Sequence, residues 1–276
     1  MIGEALSYPF FRAALMAGLL ASIACGVMGT YVVVRRVTSL AGGLAHAAFG
    51  GVGLGYLLGF DPLLGAAGFA IVAGSSIRIL QRSRHQSTDT LVSMFWSLGM
   101  ASGLLFASLK KGYTPDLMSY LFGSILFVST RDLVFLGCMD LLIVLSAILL
   151  FREFQAITFD EEFSELVGLP VEGLAHYLMA LISLAVVVLI QVVGVLLSIA
   201  LLSIPAATAR HWTQNMAPTM LLATALSAVS VTSGLLLSYW ASSALNWELP
   251  TGPSVIVCAS LIYFASYIAA GRRGGL

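Results

Sequence analysis

Two ionisable side chains, His46 and Asp140, lie deep inside long apolar runs of this 276-residue chain. Such groups are rare in lipid, and where they occur they face the interior of a helix bundle or a polar pathway. An imidazole and a carboxylate in that setting can relay protons or meet a charged cargo. Each also has a plainer reading, as a polar group hydrogen-bonded to a neighbouring helix. His85, His176 and His211 fall in a loop or near the ends of apolar runs, where solvent or headgroups reach them. The four histidines form no H-E-x-x-H or similar spacing, and the chain has no Walker A motif, so it is not expected to be an enzyme.

The composition explains why two lone polar groups matter. The chain is 59% apolar and 9% charged, with zero formal net charge, and its mean hydropathy is +0.99. A soluble domain carries about 25% charged residues. A chain this poor in charge cannot cover a globular surface, so its surface faces lipid. The expected class is an all-α polytopic membrane protein with a single transmembrane domain over residues 1–276. The balanced charge gives no argument for a nucleic-acid partner. Cys25, Cys138 and Cys258 lie in apolar runs and read as small buried hydrophobes. The first residues, MIGEALSYPFFRAALMAG, lack a basic start and an A-x-A site, and read as the beginning of a span rather than a signal peptide.

A helical span needs about 20 apolar residues. On that ruler spans are expected at 11–34, 38–59, 63–80, 90–109, 133–151, 173–191, 193–209, 217–240 and 254–270. The run at 174–209 is too long for one crossing, with a break expected at 191–194. If it is instead one bent helix, the total is eight spans rather than nine. Pro205 is expected to bend its helix. The short apolar piece at 117–129 is expected as a re-entrant or interfacial helix. With Arg35 and Arg36 in the cytoplasm, Arg78, Arg82, Arg84, Arg152, Arg210, Arg272 and Arg273 share that side. Arg12, Lys110, Lys111 and Arg131 fall outside. The excess of basic residues inside places the N-terminus outside and the C-terminus in the cytoplasm, with Lys110 and Lys111 running against the rule.

Span 38–59 is dense in glycine. Gly51 and Gly55 form a G-x-x-x-G pattern that lets helices approach closely. This means tight packing, or packing that also lets the helix shift against its neighbours. The longest polar interruption, about 152–171, holds TFDEEFSELVGLP at 158–170. Thr158 or Asp160 can cap a helix there, and Glu161 and Glu162 suit its positive first turn. Phe159, Phe163, Leu166 and Val167 share one face, and Gly168 and Pro170 stop the helix. A short acidic amphipathic helix is expected. It lies on the membrane or docks to a protein, and acidic residues fit an anionic leaflet poorly, which favours the protein.

The stretch RRVTSLAGGLAHAAFGGVGLGYLLG at 35–59 resembles the second-helix signature of the permeases of metal-ion ABC importers, which take up zinc, manganese or iron. DLMSYLFGSILFV at 116–128, TFDEEFSELVGLP at 158–170 and QVVGVLLSIALLSIPAATAR at 191–210 agree with that family in order and spacing. The resemblance implies a permease of the bacterial plasma (inner) membrane that works as a homodimer. Two cytoplasmic ABC ATPase subunits would use the ATP, an extracytoplasmic metal-binding protein would deliver the metal, and no covalent cofactor is implied. It also implies a fold like that of vitamin B12-type importers, in which a cytoplasmic coupling helix docks into the ATPase. Phe159, Asp160, Glu161, Glu162, Phe163, Leu166 and Gly168 occupy that position. His46 falls where the family places a metal-facing group. Many relatives carry an aspartate one turn earlier, where this chain has Gly42, and Asp140 is a candidate substitute. With that aspartate absent, imidazole chemistry favours zinc over manganese or iron. The alternative is an ATP-independent channel or secondary transporter of metal ions or protons, which has no need of the acidic cytoplasmic helix.

Overall fold

In hydrocarbon a chain must satisfy its backbone hydrogen bonds internally, and long apolar runs do so as helices. The computed structural model describes residues 5–84, 86–110, 125 and 128–271. Among them the regular elements are α1 (Pro9–Val34), α2 (Thr38–Leu58), α3 (Pro62–Arg84), α4 (Thr88–Leu109), α5 (Thr130–Leu149), α6 (Phe151–Phe159), α7 (Glu161–Leu166), α8 (Val171–Val193), α9 (Val195–Arg210), α10 (Met216–Leu245) and α11 (Thr251–Gly271). Eight of these, α1 to α5 with α8, α10 and α11, are long and apolar enough to cross a membrane. The protein is an all-α polytopic membrane protein. The expected re-entrant piece at 117–129 lies almost entirely outside the described residues, as do His85, Lys111, Arg272 and Arg273.

Local signals set the helix ends. Pro9 opens α1, where its missing N–H is not needed. The Ser87 hydroxyl accepts the Thr90 N–H at 3.2 Å at the start of α4. Ser129 and Asp132 form a reciprocal capping box on α5. The break expected at 191–194 falls at Gly194, whose φ of 83° and ψ of 167° form a combination open essentially to glycine alone. Beyond it α9 runs through Pro205 to Arg210.

Contacts at the helix ends sort them onto two sides. On one side Tyr8 meets Tyr239, with ring centroids 6.4 Å apart. Asp61 pairs with Arg131 at 3.6 Å, and Gln191 donates to Asp132 at 2.7 Å. On the other side Ser39 donates to Asp89 at 2.6 Å, Gln81 donates to Thr88 at 3.0 Å, and Trp212 donates to Ser266 at 2.6 Å. So α9 starts beside Gln191 on the first side and ends beside Trp212 on the second. Among the described residues it is a ninth, shorter apolar helix running between the two sides, packed against α1, α10 and α11. At 16 residues it is about 24 Å long, short of a hydrocarbon core of about 30 Å.

The most enclosed span is α2. It packs between α3 and α4 and also touches α8 and α9. A Cβ at Gly51 would fall on the backbone of Gly65, and one at Gly55 would lie 2.7 Å from Cα of Pro62. On the side toward α4, a Cβ at Gly53 would meet the backbone of Gly103, and one at Gly99 would meet that of Ala47. Without such side chains the helix backbones touch.

Gly53→Val is expected to push α4 off α2 and destabilise the protein by about 1–3 kcal/mol. Gly68→Val, where a Cβ meets open space, should change nothing. Melting temperatures of the two variants in the same detergent check this.

Candidate functional site

Between α6 and α8 the chain makes a short lever. Phe159 is the last residue of α6, and Asp160 is extended, with φ −152° and ψ 102°. Its carboxylate accepts the Phe163 N–H at 2.9 Å, and the Ser164 hydroxyl donates to its carbonyl at 2.6 Å. These bonds start a new helix rather than extend the old one. The single helix expected over 159–168 is therefore two, with Phe159 ending α6 and α7 confined to six residues. Thr158 is not the cap, since its hydroxyl donates back to the Phe154 carbonyl at 2.6 Å. Gly168, at φ +85°, closes the lever.

The lever has an apolar outer surface. Phe163 is 60% exposed and Leu166 86%, with Phe159 and Val167 exposed beside them. The acidic residues divide. Glu162 is exposed. Glu161 turns inward and takes a two-pronged contact from Arg78, at 3.1 and 2.8 Å, together with a hydrogen bond from Arg35. Glu172 pairs with Arg78 at 3.3 Å and with Arg82, and Glu165 pairs with Arg82 at 3.4 Å. The Arg78 side chain is only 7% exposed. Leaving a buried charge without its partner costs about 3–5 kcal/mol, whereas exposed pairs such as Arg82 with Glu165 contribute little. The Arg35–Glu161–Arg78 contact is thus the dominant polar tie of this corner. Burial pushes the Glu161 carboxyl up, but the bonds and charges of Arg78 and Arg35 outweigh it and hold the carboxyl below its usual range.

The second feature is on α2. From Leu40 to Gly53 every residue is buried except His46. Its ring stacks on Trp96 of α4, with centroids 4.1 Å apart and planes at 7°. Nδ1 is buried and has no hydrogen-bond partner among the described residues. One turn earlier, a Cβ at Gly42 would stand 3.5 Å from Ile199 of α9, an ordinary contact. Asp140 is buried on α5, and neither of its oxygens has a hydrogen-bond partner among the described residues. That helix packs on α1, which brings Asp140 near the Cys25 thiol. No hydrogen bond or ion pair joins Asp140 to His46, and among the described residues no three His, Cys, Asp or Glu side chains gather to hold a metal.

Sequence reasoning missed Trp96 and the partners of Arg78. For Trp96 the sequence carries no signal, because it meets His46 from another helix. For Arg78 there was one: an arginine inside the last turns of an apolar span needs a carboxylate.

The lowered Glu161 pKa fixes a sign. The stabilisation is present above the ordinary glutamate range and is lost as pH falls through the folded value. The difference in melting temperature between wild type and Glu161→Gln should stay constant from neutral pH down to about pH 5 and shrink below the usual glutamate range. Detergent melts across that pH series check it.

The chain is 42% identical over 263 residues to an uncharacterised membrane protein of Synechocystis, covering 95% of this chain and 92% of that one. It is 30% identical over 269 residues to the manganese transport system membrane protein MntC of Listeria monocytogenes, covering 98% and 94%. A chain of PsaBC from Streptococcus pneumoniae, solved in complex with Fab, superposes with a TM-score of 0.83 at 27% identity, covering 97% of this chain and 95% of that one. Residues 7–270 match the ABC 3 transport family, and with nearly the whole chain matched, the protein belongs to that family, as its stretch at 35–59 implies.

Proposed function

We infer that this chain is the permease of an ATP-driven importer of a divalent transition metal. The observation that carries this reading is the outward apolar surface of α7, with Phe163 and Leu166 exposed on a lever outside the spans. A self-contained carrier has no use for such a knob, whereas a permease driven by a separate ABC ATPase needs a docking element. In this reading the side bearing α7 is cytoplasmic, which leaves the N-terminus outside. An extracytoplasmic binding protein delivers the metal at the Tyr8 and Asp61 side. A second copy of the chain covers the side where His46 and Trp96 emerge. Approach of the two ATPases moves α7, and the path opens alternately to either side.

His46 is the residue that meets the cargo. It interrupts the burial of α2, and its Nδ1 has no protein partner among the described residues. One imidazole binds a metal weakly, which suits passage better than storage. Asp140, buried on α5 with both oxygens unpaired among the described residues, is a second candidate on the path, although no bond joins it to His46. The Listeria relative is named for manganese, while an imidazole with no carboxylate one turn away favours zinc. Manganese is the first metal to test and zinc the second, with iron after them.

The complex in proteoliposomes should take up metal only with the ATPase subunit and ATP present. His46→Ala should lower uptake at limiting metal roughly tenfold or more. Wild-type uptake without ATP would favour the ATP-independent alternative, and an unchanged rate in the alanine variant would remove His46 from the path. Phe163→Asp places a charge in the proposed apolar contact and should release the ATPase subunit in a pull-down, while the melt of the permease itself stays unchanged. Retention of the ATPase by that variant would count against the docking role of α7.

A further inference from the structure

The acidic residues around α7 look in sequence like part of a surface offered to a partner. Their placement gives Glu161 another task. Its carboxylate lies between Arg35 and Arg78, with bonds from both. Arg35 is the C-cap of α1, three residues before α2 begins at Thr38. Arg78 belongs to the last turns of α3. By backbone packing, α7 touches α6 and, more lightly, α8. Its ties to α1 and α3 are the carboxylates. The lever itself is bounded by breaks, extended Asp160 before it and left-handed Gly168 after it, so it can move as a piece.

The corner that receives Glu161 is stiff. Arg36 holds a left-handed backbone at φ 57°, rare for a residue with a side chain. The Val37 N–H reaches back to the Val32 carbonyl at 3.0 Å and the Arg36 N–H to the Val33 carbonyl at 3.1 Å. Displacing Arg35 therefore displaces the end of α1 and the start of α2 together. His46 stands eight residues beyond Thr38, about 12 Å along the helix. Ser39 and Asp89 carry the connection on to α4, the helix that bears Trp96.

Resting on the coupling role of α7 inferred above, we propose that Glu161, clamped by Arg35 and Arg78, is the strut through which movement of α7 reaches the α1–α2 corner and hence the helix that carries His46. Glu161 is then a positioning residue and not a contact with the ATPase. The docking surface is the apolar one. The bidentate fork of Arg78 supplies direction, since two parallel bonds resist rotation as well as separation. Near-complete burial of Arg78 keeps water from its guanidinium, while Glu161 stays half-buried.

The experiment is the number of metal ions imported per ATP hydrolysed by the full complex, permease and ABC ATPase, in proteoliposomes. Glu161→Gln removes the charge and keeps the shape. It should still retain the ATPase subunit and hydrolyse ATP, with the ratio reduced roughly tenfold. Glu161→Asp keeps the charge, but its shorter arm cannot reach both guanidinium groups, and its ratio should be intermediate. This second variant decides the matter if the glutamine variant does not insert. Arg35→Gln added to Glu161→Gln should lower the ratio no further than the worse single change, because both act through one contact. An unchanged ratio in both single Glu161 variants overturns the strut, as does an additive loss in the double variant. Loss of the ATPase subunit from the Glu161→Gln complex also overturns it, since Glu161 would then be a docking contact. ATP-independent uptake by the wild-type complex overturns the coupling reading and the strut with it. ATP-dependent wild-type uptake with unaltered variants overturns the strut alone.

Discussion

At Gly51, Gly53 and Gly55 of α2 the helices meet without side chains between them. Lipid tails are as apolar as leucine, so no hydrophobic effect drives helices together in a bilayer, and close packing must do it. Gly51 against Gly65 and Gly53 against Gly103 bring backbones into contact on two sides of one helix. The rest of the bundle inherits its register from this. With α3 and α4 held so near, the only residue from 40 to 53 that escapes burial is His46. The same register sets where α3 ends, and so where Arg78 presents its guanidinium to the α1–α2 corner. Gly26 and Gly29 do the equivalent work for α1 against Thr224 of α10 and Leu202 of α9.

Charge is the second constraint, and it works by scarcity. A chain with 9% charged residues has few to spend on surface pairs of little worth. The strongest cluster, Arg35, Arg78, Glu161 and Glu172, joins four separate helices or their caps on one side of the bundle. On the opposite side the polar ties among the described residues include Gln191 with Asp132 at 2.7 Å and the exposed Asp61 with Arg131 at 3.6 Å. The two ends of the bundle are thus fastened differently. One is clamped by the ion pairs of a buried arginine, Arg78, and the other, among the described residues, carries an amide-to-carboxylate bond beside a glycine break at Gly194.

Much of this was legible from the sequence because hydrocarbon leaves few options. Apolar run length located the spans, and a run too long for one crossing, interrupted by a glycine, located the break at Gly194. The split between α6 and α7 was not legible. Whether Asp160 caps a new helix or continues the old one turns on a bond worth about 1 kcal/mol, and on Glu161 being drawn to arginines far away in the chain. Lone ionisable groups in apolar runs are visible, so His46 and Asp140 stood out. Their neighbours are not, because a stacking ring on α4 or a thiol on α1 depends on the register of packed helices. Acidic residues at 161–165 looked like a surface because sequence displays a charge without displaying what neutralises it.

The short helix α9 bears on how this protein is made as well as on how it works. A nascent chain is sorted into the bilayer segment by segment, according to apolar length. At 16 residues, α9 falls below the usual length, and a single glycine separates it from α8. No polar stretch lies between them at which the sorting machinery could treat them as two decisions. α8 and α9 are joined at Gly194 as one unit, and α9 packs on α1, α10 and α11, which shelter it where its own length falls short. The packing of α9 on α1, α10 and α11 is complete only once α10 and α11, which follow it in the chain, are in place.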